Sequence, residues 1–194
     1  MSIDRIKAAL RESADLKLKV AEQSSEKILE VAGALESCIK SGGKAMFCGN
    51  GGSAADSQHL ATELVVKLTG RFDRAALSAI ALTTDTSILT ACSNDYGFDH
   101  VFSRQIEALG KEGDMLFAIS TSGKSENVIK AVETARQKKI VTCGMLGGDG
   151  GDLAKLVDLA LVVPSTDTMR IQEAHITIGH IIISIIERKL FSVR

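Results

Sequence analysis

Five short apolar runs alternate with helix-like stretches through the chain beyond residue 43, and each run closes on a polar loop. The runs are KAMFC (44–48), LSAIAL (77–82), DMLFAIS (114–120), IVTCGML (140–146) and DLALVV (158–163). Continuous apolar runs suit strands buried on both faces, whereas a half-exposed strand alternates. Strands separated by helices return in the same direction. The pattern therefore predicts α/β architecture: a three-layer αβα sandwich around a five-stranded parallel sheet. Ligands of such sheets bind at the carboxyl ends of the strands. The loops rich in Gly, Ser and Thr fall at those ends.

Residues 3–39 hold one glycine, Gly33, and no proline. Ile3, Ile6, Ala9 and Leu10 mark one helical face, and Ile28, Leu29, Ala32, Leu35 and Ile39 mark another. Two helices, or one bent helix, are expected, with a glycine cap at SGG (41–43). The length of 194 residues suits one domain, 1–194, whose helical segment 1–42 packs on the body or on another subunit.

The net charge of −1 excludes bulk attraction to nucleic acid or anionic lipid, so neither partner is expected. Cys38, Cys48, Cys92 and Cys143 form no CxxC pair and read as buried thiols of a reducing compartment, the cytoplasm. The start, MSIDRIKAALRES, is too polar for a signal-peptide core. The most apolar stretch, ITIGHIIISII, is too short to span a bilayer.

Two nucleotide readings fail. Gly49, Gly51 and Ala54 satisfy G-x-G-x-x-[G/A], but the acidic residue that should end the next strand is missing; the nearest, Asp85, lies too far on. SGKS (122–125) ends like a Walker A loop, yet Ala118 stands where that loop needs glycine. A phosphate cradle fares better. Ser120, Thr121, Ser122 and Ser125 offer four hydroxyls between a strand end and a helix start, more than one N-cap needs. His59 and Glu63 are four apart and share a helical face. Arg170, Gln172, Glu173, His175 and His180 interrupt the last apolar helix. Spacing alone leaves open whether these are solvated positions or an acid–base or metal site.

Taken together, the segments CGNGGSAADSQH, GRF, LTTD, NDYGF, FSRQIEALG, ISTSGKSENV and RIQEAH resemble the bacterial phosphoheptose (sedoheptulose-7-phosphate) isomerases of the sugar isomerase (SIS) domain group. The likeness runs from about residue 40 to residue 188. It implies the flavodoxin-like SIS fold, a homotetramer with active sites at subunit interfaces, and one Zn(2+) per subunit. It implies conversion of sedoheptulose 7-phosphate to D-glycero-D-manno-heptose 7-phosphate, the first step toward ADP- or GDP-heptose for lipopolysaccharide or other surface glycans. Carried over by motif, Asn50, Gly51, Gly52, Ser53, Asn94 and Asp95 contact substrate, and Ser120, Thr121, Ser122 and Ser125 hold its phosphate. His59, Glu63, Gln172 and His180 match the zinc set, of which Glu63 and Gln172 also touch substrate. Glu63 and His180 match the acid–base pair. This chain departs from the family at LVVK (64–67), an added turn that puts in doubt Arg71, otherwise a substrate contact.

Three rivals stand beside this reading: a non-catalytic SIS module that binds the replication initiator, an isomerase of another sugar phosphate, and a sugar-phosphate sensor. In the initiator-binding relatives the counterparts of Glu63 and His180 are lost, and both are present here.

Overall fold

A computed structural model describes residues 2–70 and 73–191. The N-terminal segment is one continuous helix, α1 (Ile3–Lys40), not two. It ends as the glycines predict. Gly42 takes a positive φ of 77°, and the N–H groups of Gly42 and Gly43 bond back to the carbonyls of Ile39 and Cys38. The chain then alternates: β1 (Ala45–Gly49), α2 (Gly52–Val65), β2 (Ala79–Ala81), α3 (Thr86–Asp95), a 3-10 turn (Phe98–His100) and α4 (Ser103–Leu109). There follow β3 (Met115–Ser120), α5 (Glu126–Gln137), β4 (Val141–Gly147), α6 (Leu153–Leu156), β5 (Leu159–Val163) and α7 (Thr168–Phe191).

All four strand pairings are parallel, and the sheet order is β2-β1-β3-β4-β5. Successive side chains of a strand point to opposite faces, so each strand feeds two cores. Phe47 and Phe117 stack at 4.8 Å on one face, in a cluster with α1, α2 and α7. Met46, Cys48, Leu116 and Ala118 point the other way, into a cluster with α3, α4, α5 and α6. The result is the three-layer sandwich that the apolar runs imply.

The strand order reverses between β1 and β3, whose following helices α2 and α5 lie on opposite faces. A crevice opens at such a switch point, at the strand carboxyl ends. The loops at 50–53 and 120–125 stand on its two sides. Among the described residues, no helix is long and apolar enough to cross a membrane.

Candidate active site at the switch point

The loop after β1 turns on Gly51, whose φ of 55° is a left-handed conformation that favours glycine. Its neighbour Asn50 points across the crevice. Asn50 and Asn127 exchange two amide hydrogen bonds of 2.9 Å, tying the β1 loop to the first turn of α5. Ser53 is buried, and its N–H bonds the Asn50 carbonyl.

The second loop carries the hydroxyls. Ser125 is the N-cap of α5, yet its side chain makes no capping bond; its Oγ lies 3.1 Å from Ser120 Oγ. Ordinary capping therefore does not account for Ser125. Ser120 Oγ also accepts from Gly123 N–H, and Ser122 Oγ accepts from Lys124 N–H. Gly123, at a φ of +65°, lies so close to Gly150 that a side chain there would overlap the Gly150 carbonyl. The hydroxyl loop and the loop after β4 (148–152) thus brace each other by backbone contact. Hydroxyls beside a helix N-terminus make a neutral anion cradle.

Helices α2 and α7 pack closely through two glycines. A Cβ on Gly179 would overlap Leu60, and one on Gly52 would overlap the Gln172 side-chain amide. This approach brings together side chains far apart in sequence. His59 Nε2 lies 2.7 Å from His180 Nε2 and 3.3 Å from Glu63 Oε1. The ligand atoms of His59, Glu63 and His180 all lie within 4.8 Å of one another. Burial lowers the pKa of His180, the adjacent His59 lowers it further, and Glu63 partly opposes both. A neutral imidazole is the form that binds a metal. Two facing nitrogens and a carboxylate fit zinc, as a three-ligand set that keeps a fourth position open.

Gln172 shares α7 with His180. It stands eight residues before His180 on α7, about 12 Å along the axis, and its amide sits against Gly52 at the substrate loop. Asn94 and Asp95 lie at the exposed C-terminal end of α3, where Asn94 Nδ2 donates to Asp95 Oδ1 at 2.8 Å. Among the described residues they share no hydrogen bond with either loop. Arg71 lies outside the described residues.

The SIS domain family matches residues 10–147. The phosphoheptose isomerase of Rhodospirillum rubrum is 49% identical over 191 residues, covering 97% of this chain and 99% of that one. The chain belongs to the phosphoheptose isomerases. The solved phosphoheptose isomerase of Neisseria gonorrhoeae is 44% identical with a TM-score of 0.89, covering 95% of this chain and 97% of that one. That of Francisella tularensis is 38% identical with a TM-score of 0.92, covering 97% and 99%.

Within this phosphoheptose isomerase fold, three polar residues of the site region carry no signal in the sequence reading. Asn127 is buried and spends its side chain on Asn50. Asp56 stands one turn before His59; its Oδ2 is buried without a partner among the described residues, and burial raises its pKa to about 6 against the opposing charge of His59. Arg74 reaches the backbone of Glu63. The string SENV holds Asn127, but nothing in it marks a partner 77 residues away.

Proposed function

We propose that this chain is an aldose–ketose isomerase that converts sedoheptulose 7-phosphate to D-glycero-D-manno-heptose 7-phosphate, the first step toward ADP- or GDP-heptose for surface glycans. The observation that carries the reading is the convergence of His59, Glu63 and His180 from two helices, in a chain whose relatives over its whole length are phosphoheptose isomerases.

Moving a carbonyl from C2 to C1 requires a base to take the proton from C1 and an acid to protonate the C2 oxygen; a proton then returns to C2 as the C1 hydroxyl gives one up. Glu63 and His180 supply that pair, with either order of roles open. Each such group typically contributes ~10²–10⁴ in rate. His59, Glu63 and His180 would hold Zn(2+), one per subunit. When bound, the ion supplies positive charge beside the oxygen on which negative charge develops. Ser120, Thr121, Ser122 and Ser125 hold the phosphate, and Asn50, Gly51, Gly52, Ser53 and Gln172 line the sugar's path, so that binding energy at one end orients the reacting carbons at the other.

A homotetramer with interface sites belongs to this reading. Ile3, Ile6 and Leu10 expose an apolar stripe on the first turns of α1, and exposed apolar stripes of this kind favour association. Asn94 and Asp95, exposed and away from their own loops, are available to a neighbouring subunit. The four unpaired, buried cysteines support a reducing compartment, the cytoplasm.

The test is turnover of a panel of ketose phosphates, with and without added zinc. Sedoheptulose 7-phosphate is expected to be the preferred substrate, with activity lost on chelation and restored by zinc. Preference for a pentose or hexose phosphate would overturn the substrate assignment.

A further inference from the structure

A buried ion pair holds the two site helices together at their far end. The side chains of Arg74 and Glu187 are 0% and 1% exposed, with Arg74 Nε 2.8 Å from Glu187 Oε1. Arg74 Nη2 donates to the Glu63 carbonyl at 2.7 Å, and Nη1 donates to the carbonyls of Leu64 and Ala75. Glu187 Oε1 also accepts from Leu68 N–H at 3.0 Å.

The carbonyls of Glu63 and Leu64 belong to the last turn of α2, where carbonyls lack helical partners and carry the negative end of the dipole. A guanidinium there satisfies them and matches their charge. Glu187 lies seven residues after His180, close to two turns, and so on the same stripe of α7. Arg74 therefore connects the backbone of one reacting residue to a carboxylate aligned below the other.

Burying two charges is costly, and an apolar pair of similar volume often serves stability as well or better. Stability alone thus gives little reason for this pair. The distances from His59 and Glu63 to His180 depend on how α2 is rotated and slid against α7. Leu60 on Gly179 sets the closeness of the helices, but apolar contact leaves sliding soft. Directional hydrogen bonds to Glu63, Leu64 and Glu187 remove that freedom.

We propose that Arg74 and Glu187 are positioning residues for the acid–base and metal group. They touch no substrate; they set the geometry of His59, Glu63 and His180. The inference rests on the reading of those three as the reacting group.

The test uses the full chain carrying Arg74→Lys, which keeps the charge but not the fork of donors, and separately Glu187→Gln, which keeps volume and an acceptor. Lys44→Gln is the control: Lys44 pairs with the buried Asp114 at 2.6 Å, at the amino end of the sheet, away from the site. Folding is followed by circular dichroism and melting, zinc affinity by chelator competition, and kcat and KM separately. Supporting residues behind metal ligands typically alter affinity by 10–100-fold. The expected result is about tenfold or greater loss of zinc affinity, a kcat loss of similar size and a near-constant KM, in whichever of the two variants folds. Lys44→Gln melts earlier but keeps zinc affinity and kcat. The proposal is overturned if a folded Arg74→Lys or Glu187→Gln protein keeps both zinc affinity and kcat, or if Lys44→Gln loses as much of each. Inactivity of the parent on every ketose phosphate would count against the isomerase reading instead, and the zinc affinities would still decide the positioning role.

Discussion

Asn50 and Asn127 hold each other by both ends of their amides, Nδ2 to Oδ1 in each direction at 2.9 Å. The pair joins the loop after β1 to the helix that follows the hydroxyl loop, so the two halves of the crevice keep a fixed spacing. Residues that act as one unit give non-additive losses. Asn50→Ala and Asn127→Ala are each expected to lower kcat/KM, and the double variant to be scarcely worse than either single one. A coupling of about 1 kcal/mol or more in the cycle is expected; additive losses would contradict the pairing role.

Gly52 offers a change that spares the fold. An added Cβ would overlap the far end of Gln172, a flexible side chain that can swing away, while alanine is the better helix former. Gly52→Ala should melt at or above the parent temperature and yet lose about tenfold or more in kcat/KM through displaced contacts. Steady-state kinetics beside a melting curve checks this.

His175 is fully buried, with Nε2 3.0 Å from the Leu146 carbonyl and Nδ1 lacking a partner among the described residues. Burial lowers its pKa from 6.5 to about 4, against the opposing hydrogen bond to Leu146. The unfolded chain thus takes up the proton first as pH falls. Stability declines from about pH 6.5 downward and levels off below about pH 4. Between pH 7 and pH 5 the parent should lose about 2 kcal/mol more than His175→Gln, measured by urea unfolding. Parallel curves for the two proteins would contradict the assignment.

Subunit mixing tests whether the hydroxyl loop and the His–Glu–His group serve one another across an interface. Glu63→Gln and the pair Ser120→Ala/Ser125→Ala are each expected to be nearly inactive alone. Coexpressed, they should regain activity, because some sites then combine an intact loop from one chain with an intact Glu63 from another. No recovery on coexpression would place each site within one chain.

Much of the fold was legible because each strand's environment is written locally. The stretches at 45–48, 115–119 and 143–146 are free of polar side chains, as strands covered on both faces must be. The pairing of His59 with Glu63 was legible for the same reason, since four residues along one helix fix a shared face. What connects α2 to α7 was not. Gly179 reads in sequence as a weak point in a helix, but in the structure it is what lets Leu60, and with it His59, approach His180. Periodicity describes one helix at a time, so it could not show that Gln172 approaches Gly52, nor find Arg74 and Asn127. Residues 11–27 of α1 were equally opaque: few apolar positions mark a face there, and Ser13, Leu16 and Val20 alone are buried, so continuity was not readable.

The central claim, that Glu63 acts on the substrate's proton in a phosphoheptose isomerase, is tested most directly by turnover of sedoheptulose 7-phosphate in the parent and in Glu63→Gln, both loaded with zinc. The account predicts a folded variant, with the parent's melting behaviour, that has lost about 10²-fold or more in kcat. Near-parental kcat in Glu63→Gln would contradict it.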